Sequence, residues 1–357
     1  MPSEFGIIKK FFTEKSPKKN KNTRLGIGDD AAIVSVTSGY DMVIAVDTLV
    51  AGVHFPKQTP PFDIGHKALA VNLSDLAAMG AQASSFTLAL TLSESEQNQN
   101  WLENFSAGLF ELANQNNMEL IGGDTTCGPL TISIQAHGLI PTNKAMLRSG
   151  AKPGDLVFVT GSLGDAALGL QYVQKTLNSR ENFSFELLKE LTDEEKGYCI
   201  NRLNRPQPQV FAGLQLRDIA TSCIDISDGL LADLGHICEA SECRAVVHEN
   251  YLPLSSAFKK IHSIDAEATL LAATGGDDYE LCFTVNPDDL SRLKTLELNC
   301  SITQVGEIIT IDQYAESNIN TVSAETNILL LNRAGEAIPV TTTGYTHFQN
   351  DEHSEIK

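Results

Sequence analysis

Residues 41–50 read DMVIAVDTLV, and residues 63–79 read DIGHKALAVNLSDLAAM. The first stretch is a short apolar run rich in β-branched residues, which predicts a buried strand ending near Asp47. The second has small and apolar residues at helical spacing and stops at Gly80, a residue that ends helices readily because it tolerates left-handed backbone. A strand feeding a long apolar helix begins an α/β layer, and the neighbouring segments extend it. Residues 85–92 (SFTLALTL) alternate as a strand and 101–117 read as an amphipathic helix. Residues 118–121 read as a brief strand running into the GGDTT of 122–126, and 130–140 as a further strand. The expectation is a mixed α/β domain over residues 1–147.

The second half opens at a turn-rich joint, Gly150-Ala151-Lys152-Pro153-Gly154, before the apolar strand 156–159. Helices are expected at 165–175, through the charged stretch 187–204, and at 210–219 after the Pro206-x-Pro208 break. Residues 222–226 read as a strand leading into Asp228-Gly229 and a helix at 230–240. A helix at 266–273 ends at Gly275-Gly276, a strand follows at 280–285, and the chain from Asp312 reads as irregular. A second domain is expected over residues 148–348, with a frayed polar tail at 349–357.

The chain has 357 residues, and two domains suit that length at roughly 150 residues each. Its 26 basic and 45 acidic side chains give a net charge of −19, which disfavours binding to a phosphate backbone; no nucleic-acid partner is expected. Seven of the basic residues fall between Lys9 and Arg24, a stretch that reads more simply as a solvated loop than as a phosphate-binding patch. No run approaches the ~18 apolar residues of a membrane span, and the N-terminus has no signal-peptide pattern. The seven cysteines are scattered, with no C-x-x-C pair, as expected of free thiols in a reducing compartment. A cytoplasmic protein without membrane contact is the expectation.

Several familiar chemistries are missing. There is no Gly-Lys dipeptide, so a P-loop of the G-x-x-x-x-G-K-[ST] type is excluded, and H-E-x-x-H and G-x-S-x-G are absent. Gly26-Ile27-Gly28-Asp29-Asp30-Ala31 fits G-x-G-x-x-A, but a lysine-rich stretch rather than a strand precedes it, and two adjacent carboxylates would repel a pyrophosphate. What recurs instead is aspartate beside glycine or at a strand end: Asp29 and Asp30, Asp47, Asp124, Asp225 and Asp228, and Asp277-Asp278. Glycine lets backbone approach a ligand closely, and converging carboxylates suit a hard cation such as magnesium. Asp75 lies inside the apolar helix, where an ionised carboxylate needs a partner; Lys67 is the structural candidate. Asp47 as a turn residue and Asp228 as a helix cap are the corresponding structural readings. Arg148 sits in the polar joint as either a polyphosphate contact or a surface arginine. His54 in GVHF and Tyr345 in GYTHF read first as a loop histidine and a packing aromatic.

Taken in order, GIGDDA (26–31), DTLVAGVHF (47–55), KALAVNLSDLAAMG (67–80), GGDTT (122–126), RSGAKPGD (148–155), IDISDGL (224–230) and GGDDYELCF (275–283) resemble the thiamine-monophosphate kinase family. The resemblance runs from about residue 4 to 348. It implies the two-domain α/β fold of aminoimidazole ribonucleotide synthetase, of α+β character with mixed sheets flanked by helices, and a homodimer whose N-terminal sheets pair, residues 85–92 offering an interface strand. It implies ATP-dependent phosphorylation of thiamine monophosphate to thiamine diphosphate, with ATP as co-substrate and several Mg²⁺ ions. Carried over, the metal ligands would be Asp30, Asp47, Asp75, Asp124, Asp225 and Asp228, with Asp47, Asp124 and Asp228 central to catalysis. Gly123, Asp124, Arg148 and Ser227 would line the ATP site, and His54, Asp277 and Tyr345 the thiamine end. Two departures stand out: Ala45 and Val46 occupy positions where relatives often carry Ser and Thr, and Asp277 stands where glutamate is common.

Rival readings come from the same superfamily and beyond it. Selenophosphate synthetase uses an N-terminal Cys or selenocysteine, whereas the first cysteine here is Cys127. A nucleotide-binding maturation protein that has lost turnover is a second rival, and a two-metal phosphatase a third, disfavoured by the lack of accompanying histidines.

Overall fold

The computed structural model describes residues 4–16, 20–177, 188–263, 268–313, 327–340 and 344–345. The tail at 349–357, Lys18 and Lys19 of the basic stretch, and the starts of the helices expected at 187 and 266 lie outside them.

A short helix α1 (Glu4–Ile7) runs into a π-helical turn whose Phe11 and Phe12 are buried in the first core. A small ribbon of β1 (Thr23–Leu25) and β2 (Ile33–Val34) follows. The first large sheet has the order β3-β6-β4-β5, from β3 (Tyr40–Val50), β4 (Gln82–Leu92), β5 (Glu119–Cys127) and β6 (Thr131–Pro141). Its ladders are antiparallel except β4 with β5. Helices α2 (Pro61–Ala78) and α3 (Gln99–Gln115) belong to its core, which collects Leu49, Leu88, Leu90, Ile132 and Ile134. Strand period sends the intervening residues to the opposite face, where Ile44 and Val46 are 57% and 62% exposed.

The strand expected at 118–121 does not stop at GGDTT, which is the second half of β5: pairing with β4 continues through Asp124 to Cys127, past a bulge. Gly123 makes this possible. A Cβ there would lie 1.9 Å from the Leu88 carbonyl oxygen, so any side chain would drive the two strands apart.

The second large sheet has the order β12-β9-β11-β7-β10-β8. It uses β7 (Leu156–Thr160), β8 (Ser222–Ile226), β9 (Arg244–His248), β10 (Glu280–Val285), β11 (Ile302–Ile309) and β12 (Ile328–Leu331). Strands β9 and β11 were not anticipated, and β12 lies where irregular chain was expected. In β11 a bulge between Gln304 and Gly306 breaks the alternation that pattern reading depends on. Helices α4 (Asp165–Leu177), α5 (Asp193–Asn204), α6 (Val210–Leu216), α7 (Leu230–Ala240), α8 (Ser256–His262) and α9 (Ala268–Thr274) complete this half.

Helix α2 is the element shared by both halves. Nearly every residue from Asp63 to Ala78 is buried. Its last turn, Ala77 and Ala78, enters a core with Phe158, Leu216, Leu281 and Phe283 of the second half. A helix apolar on all sides can be stable only when covered on all sides, and here two domains supply the cover.

Candidate active site

Where α2 meets the second sheet, a cleft of about 1040 Å³ opens. Its walls include Asp47 and the loop around His54 after β3, Asp75 of α2, Asp225, Ser227 and Asp228 after β8, Gly275 to Asp277, and Tyr345. Gln171 and Gln174 of α4 line it too.

Asp47 lies within β3, opposite Ile134 and three residues before the strand's end at Val50. Its carboxyl group meets that of Asp75 in a hydrogen bond. Such a contact favours a proton on one of the two, in keeping with desolvation, which pushes Asp47 upward. Asp75 is pushed up to about 8, first by desolvation and then by repulsion from Asp225 and Asp47. Asp225 rises to about 6, chiefly because it is desolvated, with the Ser74 hydroxyl opposing the rise. The Arg148 cation acts on both Asp75 and Asp225 and lowers each in part.

Two glycine-bearing loops form the far wall, and their glycines serve packing between backbones more than approach to a ligand. A Cβ on Gly229 would sit 2.6 Å from the Thr274 carbonyl oxygen, and one on Gly276 2.4 Å from that of Ser227. The loops interlock through those gaps. Asp233 of α7 locks one of them: its buried Oδ2 accepts the backbone N–H groups of Ser227, Asp228 and Gly229, each at 3.1 Å. Sequence reasoning passed over Asp233, although an acid in the first turn of the apolar stretch LLADLGHIC signals a carboxylate turned back onto its own helix start.

Asp277 does not stand free. The buried ammonium of Lys67 lies 2.8 Å from its Oδ1, and the Tyr279 hydroxyl donates to the same oxygen at 3.1 Å. Lys67 is therefore partnered with Asp277 rather than with Asp75. Eight helical residues separate Lys67 from Asp75, about 12 Å of rise, so the two cannot touch. At the other side of the cleft the Val50 N–H donates to His54 Nδ1 at 3.0 Å, which leaves the ring proton on Nε2.

The remaining expected residues lie elsewhere. Asp30 is exposed in the loop after Gly28, its N–H accepted by Asp29 at 2.9 Å. Gly123 and Asp124 are exposed on β5, the opposite edge of the sheet from β3. The ladders place Asp47, Ile134, Leu88 and Gly123 in one row, and Asp124 in the next with Ala89, Ser133 and Thr48. Three strand spacings separate Asp47 from Asp124, about 14 Å, and the two residues face opposite sides of the sheet. Within one chain they cannot ligate the same ion.

The donor set fits a magnesium ion held through substrate. Among the described residues no three His, Cys, Asp or Glu side chains converge as a ready-made metal cluster. Magnesium does not need one, since it usually takes one or two carboxylates and completes its shell with waters and phosphate oxygens. The neighbouring Asp47 and Asp75 carboxyls, both pushed upward by desolvation, mark where a divalent cation would be welcome.

Comparison with known proteins places this architecture. Residues 28–140 match the AIR synthase related protein N-terminal domain, and 152–313 match the corresponding C-terminal domain. The fold and cleft thus define a two-domain protein of the AIR synthase related class. Within that class the chain belongs to the thiamine-monophosphate kinase family. It is 41% identical to the thiamine-monophosphate kinase of Escherichia coli (strain K12) over 345 residues, 97% of this chain and 98% of that one. It is 44% identical over the same length and shares to that of Salmonella typhimurium. The crystal structure of thiamine-monophosphate kinase from Stenotrophomonas maltophilia K279a matches with TM-score 0.74 and 40% identity, covering 89% of this chain and 93% of that one. A structure described as AaThiL complexed with AMPPCP and TMP matches with TM-score 0.70 and 26% identity over 90% and 92%. The hydrogenase maturation protein HypE of E. coli shares the fold at TM-score 0.71 and 18% identity, covering 96% of this chain and 99% of that one.

Proposed function

We propose that this chain transfers the γ-phosphoryl group of ATP in line to the phosphate of thiamine monophosphate, producing thiamine diphosphate and ADP with the help of Mg²⁺. The observation that carries this reading is the trio of desolvated carboxylates, Asp225 buried and Asp47 and Asp75 half-buried, in a cleft where protein cations compensate them only in part. A site built to repel its own charge is a site built for added cations.

Donor and acceptor are both phosphates, so bringing them together presses like charges against each other. Bound magnesium supplies the neutralising charge for the triphosphate and the transferring group. Asp47, Asp75, Asp225 and Asp228 are the residues of this cleft that would hold it, with Arg148 and Ser227 beside the ATP phosphates. The acceptor phosphate has a second pKa near ~6, so at neutral pH it is already a dianion and needs no strong general base. Positioning is then the protein's main task. His54 Nε2–H, the Asp277 carboxylate and the Tyr345 ring line the cleft and would serve the thiamine end, where an aminopyrimidine and a thiazolium offer donors and a cation.

Asp30, Gly123 and Asp124 enter this reading through a second copy of the chain. The β3-β6-β4-β5 sheet leaves one face uncovered, with Ile44 and Val46 exposed on it, and a homodimer would close that face. Strand β4 can take part only through the face, because both of its edges are already paired. Face-to-face pairing would bring the β5 edge of one subunit toward the β3 edge of the other, so that Asp124 of one chain serves the site of its partner.

Among the described residues no helix is long and apolar enough to cross a membrane, and the cysteines are free thiols. Both support a reaction carried out in the cytoplasm. Incubation of the purified protein with ATP, Mg²⁺ and thiamine monophosphate should yield thiamine diphosphate and ADP, with no product when the metal is chelated. Retained ATP binding with no diphosphate formed would instead favour a maturation-type protein that keeps the fold without turnover.

A further inference from the structure

The Lys67–Asp277 pair joins the two domains at the cleft. Lys67 belongs to α2 of the N-terminal half and is 1% exposed, while the Asp277 side chain is 26% exposed and lines the cleft. Among the described residues the Lys67 ammonium makes no well-aligned hydrogen bond, and its charged contact is the 2.8 Å ion pair with Asp277 Oδ1. The loop that carries Asp277 is itself held in an unusual shape. Asp277 and Tyr279 both have left-handed backbone, at φ 69° and 51°, a conformation that costs free energy for residues other than glycine. Backbone bonds from Asp277 N–H to the Ser227 carbonyl and from Tyr279 N–H to that of Ile226 pin it to the β8 end. Between them, Asp278 is buried and accepts the Gly164 N–H through both carboxylate oxygens. A strained loop, pinned on three sides, presents one carboxylate, and a buried lysine from the other domain meets it.

We propose that Lys67 is a positioning residue for the substrate, acting through Asp277. Both protein contacts to Asp277 fall on Oδ1, which leaves Oδ2 as the acceptor for a ligand. The ion pair also cancels the carboxylate's charge. Asp277 then recognises a neutral N–H donor, of the kind an exocyclic amine of an aminopyrimidine offers, rather than acting as the counter-ion of a thiazolium. The shorter reach of aspartate makes this fixation matter more: with one methylene fewer than glutamate, Asp277 cannot search for the ligand and must be delivered to it. This inference rests on placing the thiamine end of the substrate at Asp277.

The test uses the full chain and steady-state kinetics with each substrate varied in turn. Lys67→Met should raise KM for thiamine monophosphate at least tenfold while KM for ATP stays within twofold. Asp277→Asn should raise the same KM by a similar factor. In Lys67→Met/Asp277→Asn neither charge is left unpaired, so the double variant should melt close to the wild type and show a KM no worse than Asp277→Asn, because one contact is removed twice. Lys67→Arg, which keeps the charge, should recover most of the loss. An active wild type whose Lys67→Met variant shows an unchanged KM for thiamine monophosphate, or equal rises for both substrates, overturns the role of Lys67. If Lys67→Met is too unstable to assay, a double variant whose KM exceeds that of Asp277→Asn tenfold overturns it equally. A wild type that makes no thiamine diphosphate overturns the functional reading instead.

Discussion

Replacing Asp75 by asparagine should make the metal-free protein more stable at alkaline pH while abolishing turnover. Burial and the neighbouring carboxylates Asp225 and Asp47 raise Asp75 from 3.8 to about 8. A carboxyl with a raised folded-state pKa holds its proton more tightly in the folded protein. It therefore favours folding fully below the unfolded value, and this contribution drains away as pH climbs through about 8. At ~1.4 kcal/mol per unit, a rise of about four units sets a ceiling of about 6 kcal/mol on the cost of holding Asp75 ionised above that pH. Asp47 and Asp225 relieve part of the repulsion by taking up protons themselves, so about half, ~3 kcal/mol, is the expected gain of the amide. At roughly 2 °C per kcal/mol for a chain of this size, the melting point should rise by about 6 °C at pH 8.5. At pH 5 the folded carboxyl keeps its proton but the unfolded one, with its value of 3.8, has lost it, so the gap should shrink to about a third, ~2 °C. Thermal melts of chelator-treated protein at the two pH values read this directly, and added Mg²⁺ should narrow the gap by stabilising only the wild type. A variant less stable than the wild type at pH 8.5, or one equally stabilised at both pH values, refutes the picture of a carboxylate held in reserve for a cation.

Asp233→Ala should cost ~3 kcal/mol in urea unfolding, because three backbone N–H groups lose their acceptor, and Asp233→Asn, which keeps one acceptor oxygen, about half that. Gly276→Ala places a Cβ 2.4 Å from the Ser227 carbonyl oxygen and so shifts the loop carrying Ser227 and Asp228; turnover should fall roughly 100-fold, measured at saturating substrates. The double substitution Ile44→Lys/Val46→Lys puts two charges on the uncovered sheet face; sedimentation should show a monomer, and activity should be lost if the second subunit supplies Asp124.

The first domain was largely legible in the sequence because its elements are long and regular: β3, α2, β4, α3 and β6 fall within a few residues of the expected ranges. The second domain was legible where strands are uninterrupted, as at β8 and β10. It was not at β11, where the bulge beside Gly306 shifts the inward face midway, or at the four-residue β12. For the site, the sequence pointed to the right residue types but not to their partners. Asp75 could be seen to need a partner and Lys67 was its candidate, yet only the fold shows that Lys67 pairs with Asp277 of the other domain. Asp30 and Asp124 belong to the same recurring pattern as Asp47, and nothing in that pattern says that Asp124 sits on the far edge of the sheet or that Asp30 lies in an exposed loop.

The aspartates of this chain separate by what fills their oxygens rather than by the glycines beside them. Asp233 and Asp278 are as buried as any, and desolvation pushes both well above the usual carboxylate range. Their oxygens, however, are met by backbone: three N–H groups at Asp233, and the Gly164 N–H on both oxygens of Asp278. Such carboxylates are complete, and an added cation would have to displace the bonds that hold the loops together. Asp47 and Asp75 have chiefly each other, and among the described residues the buried Ser74 hydroxyl near Asp225 makes no hydrogen bond. Satisfaction of the oxygens, more than depth of burial, distinguishes a carboxylate that builds a loop from one that waits for a ligand, for Asp225 is buried while Asp47 and Asp75 are half-buried. The same reasoning assigns much of the −19 charge to neither group: about half of the acids among the described residues are exposed, and water already meets their needs.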